Sequence, residues 1–335
     1  MAFTPTVLQE AILRTSEVNG FGYKENETRP SRYGALEAFA EQVSGLVPAS
    51  TLKAIKESSE QATSIDVFQR EATGTGTARK CSGTGTGTTV NIPVTFATYA
   101  EEFQLSYLEH AGNRTKYAEA FNHLFNERIK SLLVRLDTDS VTYLEANKTT
   151  ANAGTIITQV ANAGQVLKAD KDQFFNKIKA EMEQNDYYSG IINVASTTQR
   201  ELIRFDQAQG GANATNLEFQ MGDFMHKTTN RITNGLGVQS TSYMVAPGTI
   251  GAISWTNQLA RDGKDIGTDQ WSTFADPSGL IGDIELKVKL ECADNGAGKE
   301  ADYVESFVMA VEVAFISAYD SVLGAPIFKY EEMSA

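Results

Sequence analysis

Three histidines are the residues best able to carry acid-base or metal chemistry, and the sequence places them far apart. His110, His123 and His226 show no His-Glu-x-x-His spacing, and none lies beside a Gly-x-Ser-x-Gly nucleophile turn. We interpret each as a histidine on a helix face or in a loop. Because no set of acid, base and nucleophile can be named, the sequence predicts that the protein is not an enzyme.

A second chemical candidate is the glycine-rich stretch over residues 73–88, in which Gly83, Gly85 and Gly87 alternate mainly with threonine. A loop that cradles phosphate leads into a helix N-terminus, and Walker-type loops contain Gly-Lys-Ser or Gly-Lys-Thr. Here a strand-like segment follows instead. The pattern favours a slim extended ribbon without bulky side chains, suited to lying across another chain.

Arg79, Lys80 and Cys81 interrupt this ribbon with two positive charges. One interpretation is a cationic contact that docks on an acidic surface of a neighbouring subunit. The other is a pair of solvated charges at a turn, which would contribute little. We name Arg79 and Lys80 as the candidate inter-subunit contact and leave both interpretations open.

Neither a metal nor a cofactor is predicted. Asp262, Asp265 and Asp269 form a loose acidic group, but they lack the oxygen arrangement of an EF-hand and its bidentate glutamate. Cys81 and Cys292 are far apart in sequence and have no second sulfur nearby, so they read as free thiols rather than zinc ligands or a disulfide framework.

The charge balance argues against a protein whose main task is to hold phosphates. The 335 residues contain 29 Lys and Arg against 42 Asp and Glu, a net charge of −13. Residues 1–170 hold 16 bases and 19 acids (−3), and residues 171–335 hold 13 and 23 (−10), so the acidity is concentrated in the second half. This balance disfavours primary nucleic-acid binding and adsorption to anionic lipid. No signal peptide or membrane-spanning segment is expected.

The elements that would position any site begin with short helical patches over residues 1–60, which read as an arm more than a core. A long hairpin follows, because strand-like runs flank the ribbon at Ile65–Phe68 and Val90–Phe96. Pro93 lies in the returning strand and cannot donate to a ladder, so that strand should have a free edge. At about 3.3 Å per residue, such a hairpin could reach on the order of 40 Å from the body.

Beyond the hairpin, apolar residues at three- and four-residue spacings predict one long amphipathic helix from Lys116 to about Asn147. Residues 148–165 read as a loop or short pairing strand, and a helix follows with Phe174 and Ile178 on one face. An alternation of elements then gives strands near 190–195 and 242–246, with a helix over 197–208 whose Leu202, Ile203 and Phe205 point inward. The segment Asp283–Cys292 alternates cleanly as a strand, and Tyr303–Tyr319 predicts a long central strand.

This order of elements resembles the major capsid protein of tailed bacteriophages, the Hong Kong 97-type fold. The likeness rests on the hairpin, exit strand and long helix over residues 62–147. It also rests on the run Tyr243–Ile253 followed by DIELKVKLECAD and YVESFVMAVEVAFISAY. The implied fold class is α+β. The implied parts are an N-terminal arm (1–60), an extended hairpin or E-loop (61–100), a peripheral domain (101–170 and 276–335) with a spine helix (about 116–147), and an axial domain (171–275).

The resemblance also implies partners and a location. Subunits would assemble through hexamers and pentamers into an icosahedral head around double-stranded DNA, without sequence-specific binding and without a membrane. A separate scaffolding protein, a portal and decoration proteins are the further partners implied, and assembly would take place in the host bacterial cytoplasm before the protein resides in the virion. Some relatives cross-link a hairpin lysine to an asparagine of a neighbour. By this resemblance Lys80 could be that lysine, but no partner asparagine or catalytic acid can be placed.

Two other interpretations remain. An encapsulin-type bacterial nanocompartment would keep the fold and enclose an enzyme instead of a genome, although a shorter chain with a simpler arm would be expected. An extracellular or tail-associated β-rich binding protein would suit the Thr, Gly and Asn content, but the long helix speaks against it.

Overall fold

The computed structural model of the chain describes residues 33–70, 89–106, 114–149, 156–167, 173–188, 190–209, 224–266, 269–293, 302–320 and 323–334. The helices are α1 (Gly34–Leu46), α2 (Ala49–Glu57), α3 (Arg114–Ala146), α4 (Phe174–Gln184), α5 (Thr197–Gln209) and α6 (Gln258–Arg261). Within these residues, no helix is both long and apolar enough to span a bilayer.

Fifteen strands are described, and they form three sheets. The strands are β1 (Ser64–Arg70), β2 (Thr89–Pro93), β3 (Ala97–Ser106), β4 (Thr158–Val160), β5 (Ala163–Val166), β6 (Ile191–Ser196), β7 (Phe224–Thr229), β8 (Val238–Val245), β9 (Ile250–Trp255), β10 (Asp265–Ile266), β11 (Asp269–Ala275), β12 (Asp283–Ala293), β13 (Asp302–Ser317), β14 (Tyr319–Asp320) and β15 (Ile327–Met333). The first sheet has the order β10-β11-β12-β13-β3, with β9 also paired to β13. The second sheet is β4-β5-β15-β8-β6-β7, and the stem sheet is β14-β1-β2.

Helix α3 confirms the predicted spine helix, and it packs along the first sheet. Its 33 residues correspond to about 50 Å at 1.5 Å per residue. The three- and four-residue spacing of the apolar side chains from Phe121 to Leu136 puts them on one face, where they are buried against aromatic and aliphatic residues of β3, β11, β12 and β13. The aromatic contacts include Phe121 with Phe307, whose ring centroids are 5.1 Å apart, and Phe125 with Phe274, at 5.2 Å.

Strand β13 lies centrally, as the sequence predicted, and spans 16 residues. Along one side it pairs antiparallel with β12 and then, from Glu312 onward, with β9; along the other it pairs with β3. Val311 and Val313 lie in the core under α3, and Ala314 and Ile316 lie in the cluster at the base of the hairpin. One strand therefore ties two hydrophobic clusters together.

The second sheet is built from three separate parts of the chain. Its centre contains β15, from the C-terminal end of the sequence, beside β8, and its edge contains the hairpin β4-β5. In turn β9 and β11, from the segment 171–275, belong to the first sheet. The pairing therefore crosses the boundaries predicted at residues 170 and 276, because strand partners are chosen by burial rather than by nearness in sequence.

The remaining predicted helices and strands agree with the structure in part. Helices α4 and α5 and strands β6, β8 and β12 lie where the sequence indicated them, whereas β7, β9 and β11 were not predicted. On α5, Leu202 and Ile203 remain partly exposed, contrary to the expected inward face, and the side chain of Phe205 lies outside the described residues. The predicted hairpin boundary at residue 100 falls within β3, which begins at Ala97 because it joins the first sheet.

The prediction that residues 1–60 form an arm does not hold for α1, which is part of the core. Ala35, Leu36, Ala38 and Phe39 are each at most 1% exposed. The physical reason is that glycines let the helix lie directly on backbone. A Cβ at Gly34 would stand 2.5 Å from the carbonyl oxygen of Thr228, and a Cβ at Gly45 would stand 2.7 Å from the Cα of Gly248.

We predict that Gly34→Ala destabilises the protein by about 1–3 kcal/mol, because the added methyl group meets backbone that cannot turn aside. Urea unfolding of the purified chain measures this as a lower midpoint. Gly235→Ala is the matched control, since a Cβ there makes only an ordinary 3.5 Å contact with Val238, and its expected effect is within about 0.5 kcal/mol. An equal stability of the two variants would contradict the close-packing interpretation.

Candidate functional site: the hairpin stem and its anchorage

The base of the predicted hairpin is a two-stranded stem. Strands β1 and β2 pair antiparallel from Ser64 opposite Pro93 to Phe68 opposite Thr89. The side-chain amide of Asn91 donates to Asp66 at 2.8 Å across the pair. Strand β2 is an edge strand of its sheet, as the position of Pro93 predicted.

The stem is fixed to the body at two points along β1. Ile65 and Val67 of β1 are buried in a hydrophobic cluster together with residues of α1, α2, β9 and β13. At the outer end of β1, Gln69 and Arg70 pair in parallel with Tyr319 and Asp320 of β14. The stem therefore leaves the body as a supported element with a defined direction.

The residues predicted to make the inter-subunit contact, Arg79 and Lys80, lie outside the described residues. The same is true of the Gly-Thr ribbon, of Cys81 and of His110. What the structure defines is the point at which the ribbon departs, after Arg70, and the point at which it returns, at Thr89.

An open cleft of about 670 Å³ lies beside the stem, between β2 and the end of the spine helix. Its lining includes Ile92 and Pro93 from β2, Tyr143 from α3, and Phe315 from β13. Tyr143 also donates to the Ser317 hydroxyl at 3.2 Å, and burial raises the pKa of its phenol. The cleft is mainly apolar and holds no arrangement of acid, base and nucleophile.

Helix α1 contributes to the hydrophobic cluster that holds the stem, and its N-terminus is capped by a side chain from another helix. Tyr33, at the position before the helix, provides no side-chain cap. Instead Asp137 Oδ1, from the spine helix, accepts hydrogen bonds from the backbone amides of Ala35 and Leu36, each at 3.0 Å. Those are the two amides that an ordinary N-cap side chain satisfies, and a carboxylate there also suits the helix dipole.

The second oxygen of Asp137 accepts from the hydroxyl of Thr229 on β7 at 2.5 Å. Burial raises the pKa of Asp137, opposed by these hydrogen bonds and by the nearby charge of Arg231. One carboxyl group thus joins three elements: α1, the spine helix and the second sheet.

Two further polar contacts hold the same region. Lys227 of β7 pairs with Glu37 and Glu41 of α1, each at 2.7 Å. The guanidinium of Arg261 donates to the carbonyl oxygens of Lys56 and Ser58, at 2.6 and 2.5 Å, and so completes the C-terminal turn of α2. Both are anchoring contacts that fix the short N-terminal helices to the sheets.

The other chemical candidates are dispersed in the structure. His123 is exposed on the spine helix, and His226 lies in β7 on the second sheet. Asp262 pairs with Lys264, and Asp269 pairs with Lys287, so the predicted acidic group is divided between separate lysines. In the described part of the chain, no three His, Cys, Asp or Glu side chains are grouped as they would be to hold a metal ion.

The sequence analysis missed the buried polar residues that organise this anchorage. Asp137 falls within the apolar stripe of the spine helix, next to Leu133 and Leu136, and a charged residue in such a stripe was the available signal. Glu181 is similar: it is fully buried on α4 and accepts from the Ile157 amide at 3.0 Å and the Gln159 side chain at 2.7 Å.

We predict that Asp137→Ala lowers the free energy of unfolding by about 3 kcal/mol, because the cap is lost and buried amide and hydroxyl groups are left unsatisfied. Urea unfolding provides the measurement. Glu119→Ala, an exposed acid on the same helix, is the control and should change stability by at most about 0.5 kcal/mol. A loss for Asp137→Ala no larger than that of the control would show that the cap is dispensable.

Sequence comparison gives no matching family model and no significant match among curated proteins. Structure comparison does give matches. The chain is similar to a chain of the cyanophage A-1(L) capsid asymmetric unit, with a TM-score of 0.53 and 11% identity, over 92% of this chain and 95% of that one. Chains from the capsid of Ralstonia phage GP4 (TM-score 0.45, 7% identity, 92% and 93% covered) and from Mycobacterium phage Che8 (0.45, 10%, 84% and 89%) are more distant.

At this level of identity the match with the cyanophage A-1(L) chain establishes a common fold. The long spine helix over a sheet and the paired base of the hairpin were predicted from the sequence and are present in the structure. The second mixed sheet is known from the structure alone. The protein therefore has the α+β, Hong Kong 97-like fold that the sequence predicted.

Proposed function

We propose that this chain is a structural shell protein, a major capsid protein whose copies assemble through hexamers and pentamers into an icosahedral head enclosing double-stranded DNA. The observation that carries the proposal is the fold shared with a chain of a phage capsid over nearly the whole length of both. The role is mechanical, and no catalytic step is assigned to any residue.

The subunit's shape supports repeated self-association. The stem is fixed in a hydrophobic cluster, and the Gly-Thr segment that joins its two strands in sequence has few large side chains with which to bury itself. A neighbouring copy offers the surface that the ribbon lacks, and head-to-tail contacts of this kind close into rings under rotational symmetry. In the proposed subunit, the second sheet forms the axial part, and the first sheet with α3 forms the peripheral part.

The charge of the chain suits a lining for DNA more than a DNA-binding surface. A net charge of −13 disfavours tight phosphate contacts, so a genome can be packed and released without being held at particular sequences. A separate scaffolding protein, a portal and decoration proteins belong to the proposal as assembly partners. The proposed location is the virion, after assembly in the bacterial cytoplasm.

Assembly of the purified chain tests the function. We expect rings or closed particles by electron microscopy and size-exclusion chromatography, with the chain expressed alone or together with a candidate scaffolding protein. Deletion of residues 72–88 should leave a folded, soluble subunit with far fewer particles, because the stem is anchored without the ribbon.

Several outcomes would contradict this assignment. A stable monomer under every condition would exclude a shell protein, and full assembly of the deletion variant would remove the ribbon from the contact. Particles that enclose an enzyme instead of nucleic acid would identify a nanocompartment.

Charge reversal at the proposed contact tests the ribbon more finely. Arg79→Glu with Lys80→Glu should reduce particle yield several-fold if the ribbon meets an acidic surface of its neighbour, because like charges then face each other. Particle yield is measured by sedimentation of matched amounts of subunit. Lys53→Glu with Lys56→Glu, on the exposed face of α2, is the control for the change in total charge. Equal yields for the two double variants would support the solvated-turn interpretation.

A further inference from the structure

His226 lies in a buried polar cluster of the second sheet that the proposed shell function does not use. Its ring packs against Phe175 of α4, with centroids 5.4 Å apart, and against Phe224 of its own strand, at 6.1 Å. On β6, the neighbouring strand, Asn193 is fully buried, and Gln199 of α5 is 1% exposed. A titratable, partly buried ring therefore lies against two aromatic residues and one buried amide, Asn193, which in turn contacts Gln199.

The side chains of His226, Asn193 and Gln199 form a short hydrogen-bonded chain in which each donor and acceptor can be assigned. The Asn193 amide nitrogen is 2.9 Å from His226 Nδ1 and donates to Gln199 Oε1 at 3.1 Å. With this amide orientation Nδ1 accepts, so the ring proton of neutral His226 resides on Nε2. His226 Nε2, Asn193 Oδ1 and Gln199 Nε2 are buried and have no hydrogen-bond partner among the described residues.

Adding a second proton to the ring reverses this direction. Nδ1 becomes a donor and faces the donor group of Asn193, so the amide must turn over and present its oxygen. Gln199 must then also turn over, because its oxygen would otherwise face the oxygen of Asn193. The cluster thus has two discrete hydrogen-bonding arrangements, selected by the protonation of one ring.

Among the residues that the structure describes, no charged side chain contacts the His226 ring. The groups in contact with it are Asn193 of β6, Phe175 of α4 and Phe224 of β7, which are neutral. Gln199 of α5, also neutral, contacts Asn193. Lys227, next in sequence, pairs with Glu37 and Glu41 of α1 instead. The described charged side chains of α4 and α5 are Lys177, Lys179, Glu181, Glu183, Arg200 and Glu201, and the pKa of His226 is lowered by burial as its sole cause.

We propose that His226 is an acid-sensitive switch: when its ring takes up a second proton, strand β7 loosens from β6 and weakens the attachment of α1. The link to α1 is direct, because β7 also carries Lys227, bound to Glu37 and Glu41, and Thr229, bound to Asp137. Acid would thereby act on the helix that holds the two sheets together.

The direction of the pH effect follows from the pKa. Burial lowers the pKa of His226 from its ordinary 6.5 to about 4, so the state in which β7 is paired with β6 favours the neutral ring. The stabilisation is fully present above about pH 6.5 and is lost progressively as the pH falls toward 4. Between pH 7 and pH 5, an opening that exposes the ring should become about 20-fold more frequent.

Hydrogen exchange of the full chain, followed by mass spectrometry at pH 7 and pH 5 and corrected for the intrinsic exchange rate, tests the switch. We expect peptides covering β7 and α1 to lose protection by about 20-fold, while peptides of β12 and β13 change little. His226→Leu should remove the pH dependence of β7. His123→Leu, at the exposed histidine of the spine helix, should retain it.

Asn193→Asp provides an independent test that keeps the histidine. A carboxylate beside Nδ1 supplies the missing countercharge, so the acid-induced loosening of β7 should disappear. The switch is overturned if wild-type β7 keeps the same protection at both pH values, or if His226→Leu opens with acid as the wild type does. Should His226→Leu fail to fold, undiminished acid loosening in Asn193→Asp overturns it equally.

Discussion

Helix α1 begins at Gly34 without a capping side chain of its own, and its first amides are met by the carboxylate of Asp137 from the spine helix. The other oxygen of that carboxylate binds Thr229 of β7. A helix end leaves unsatisfied amide groups wherever it is buried, so the chain can bring α1 into the core only with an acceptor at that point. The rest of the arrangement follows from that placement, since α1 contributes side chains to three of the hydrophobic clusters.

Close packing makes the position of α1 specific. Gly45 and Gly248 bring helix and turn into backbone contact, and Gly251 does the same between β9 and Val43. Strand β9 pairs in turn with β13, which continues beneath the spine helix. The base of the hairpin is therefore connected through packed backbone to the sheet that carries the longest described helix.

The polar interior divides into groups with different roles. Both carboxylate oxygens of Asp137 and of Glu181 accept hydrogen bonds from backbone amides or side chains of other elements, and they hold those elements in place. The cluster of His226 and Asn193 differs because polar atoms remain unsatisfied within it. Buried polar groups whose hydrogen bonds are satisfied make the structure more rigid. Buried polar groups without partners cost free energy, so the arrangement around them is more easily changed by protonation.

Local pattern in the sequence determined the elements whose partners are implied by their own periodicity. The apolar spacing from Phe121 to Leu136 predicted the spine helix, alternation in Asp283–Cys292 predicted β12, and Pro93 predicted an edge strand. The order of these elements was enough to predict an α+β fold of the Hong Kong 97 type. Only the tertiary structure decided that α1 belongs to the core and that β15 lies in the middle of the second sheet. It also decided that Asp137 caps α1, in which Ala35 is 102 residues away from Asp137 in sequence. Those outcomes depend on contacts between distant segments, and periodicity carries no information about which distant segment supplies the missing strand or the missing acceptor.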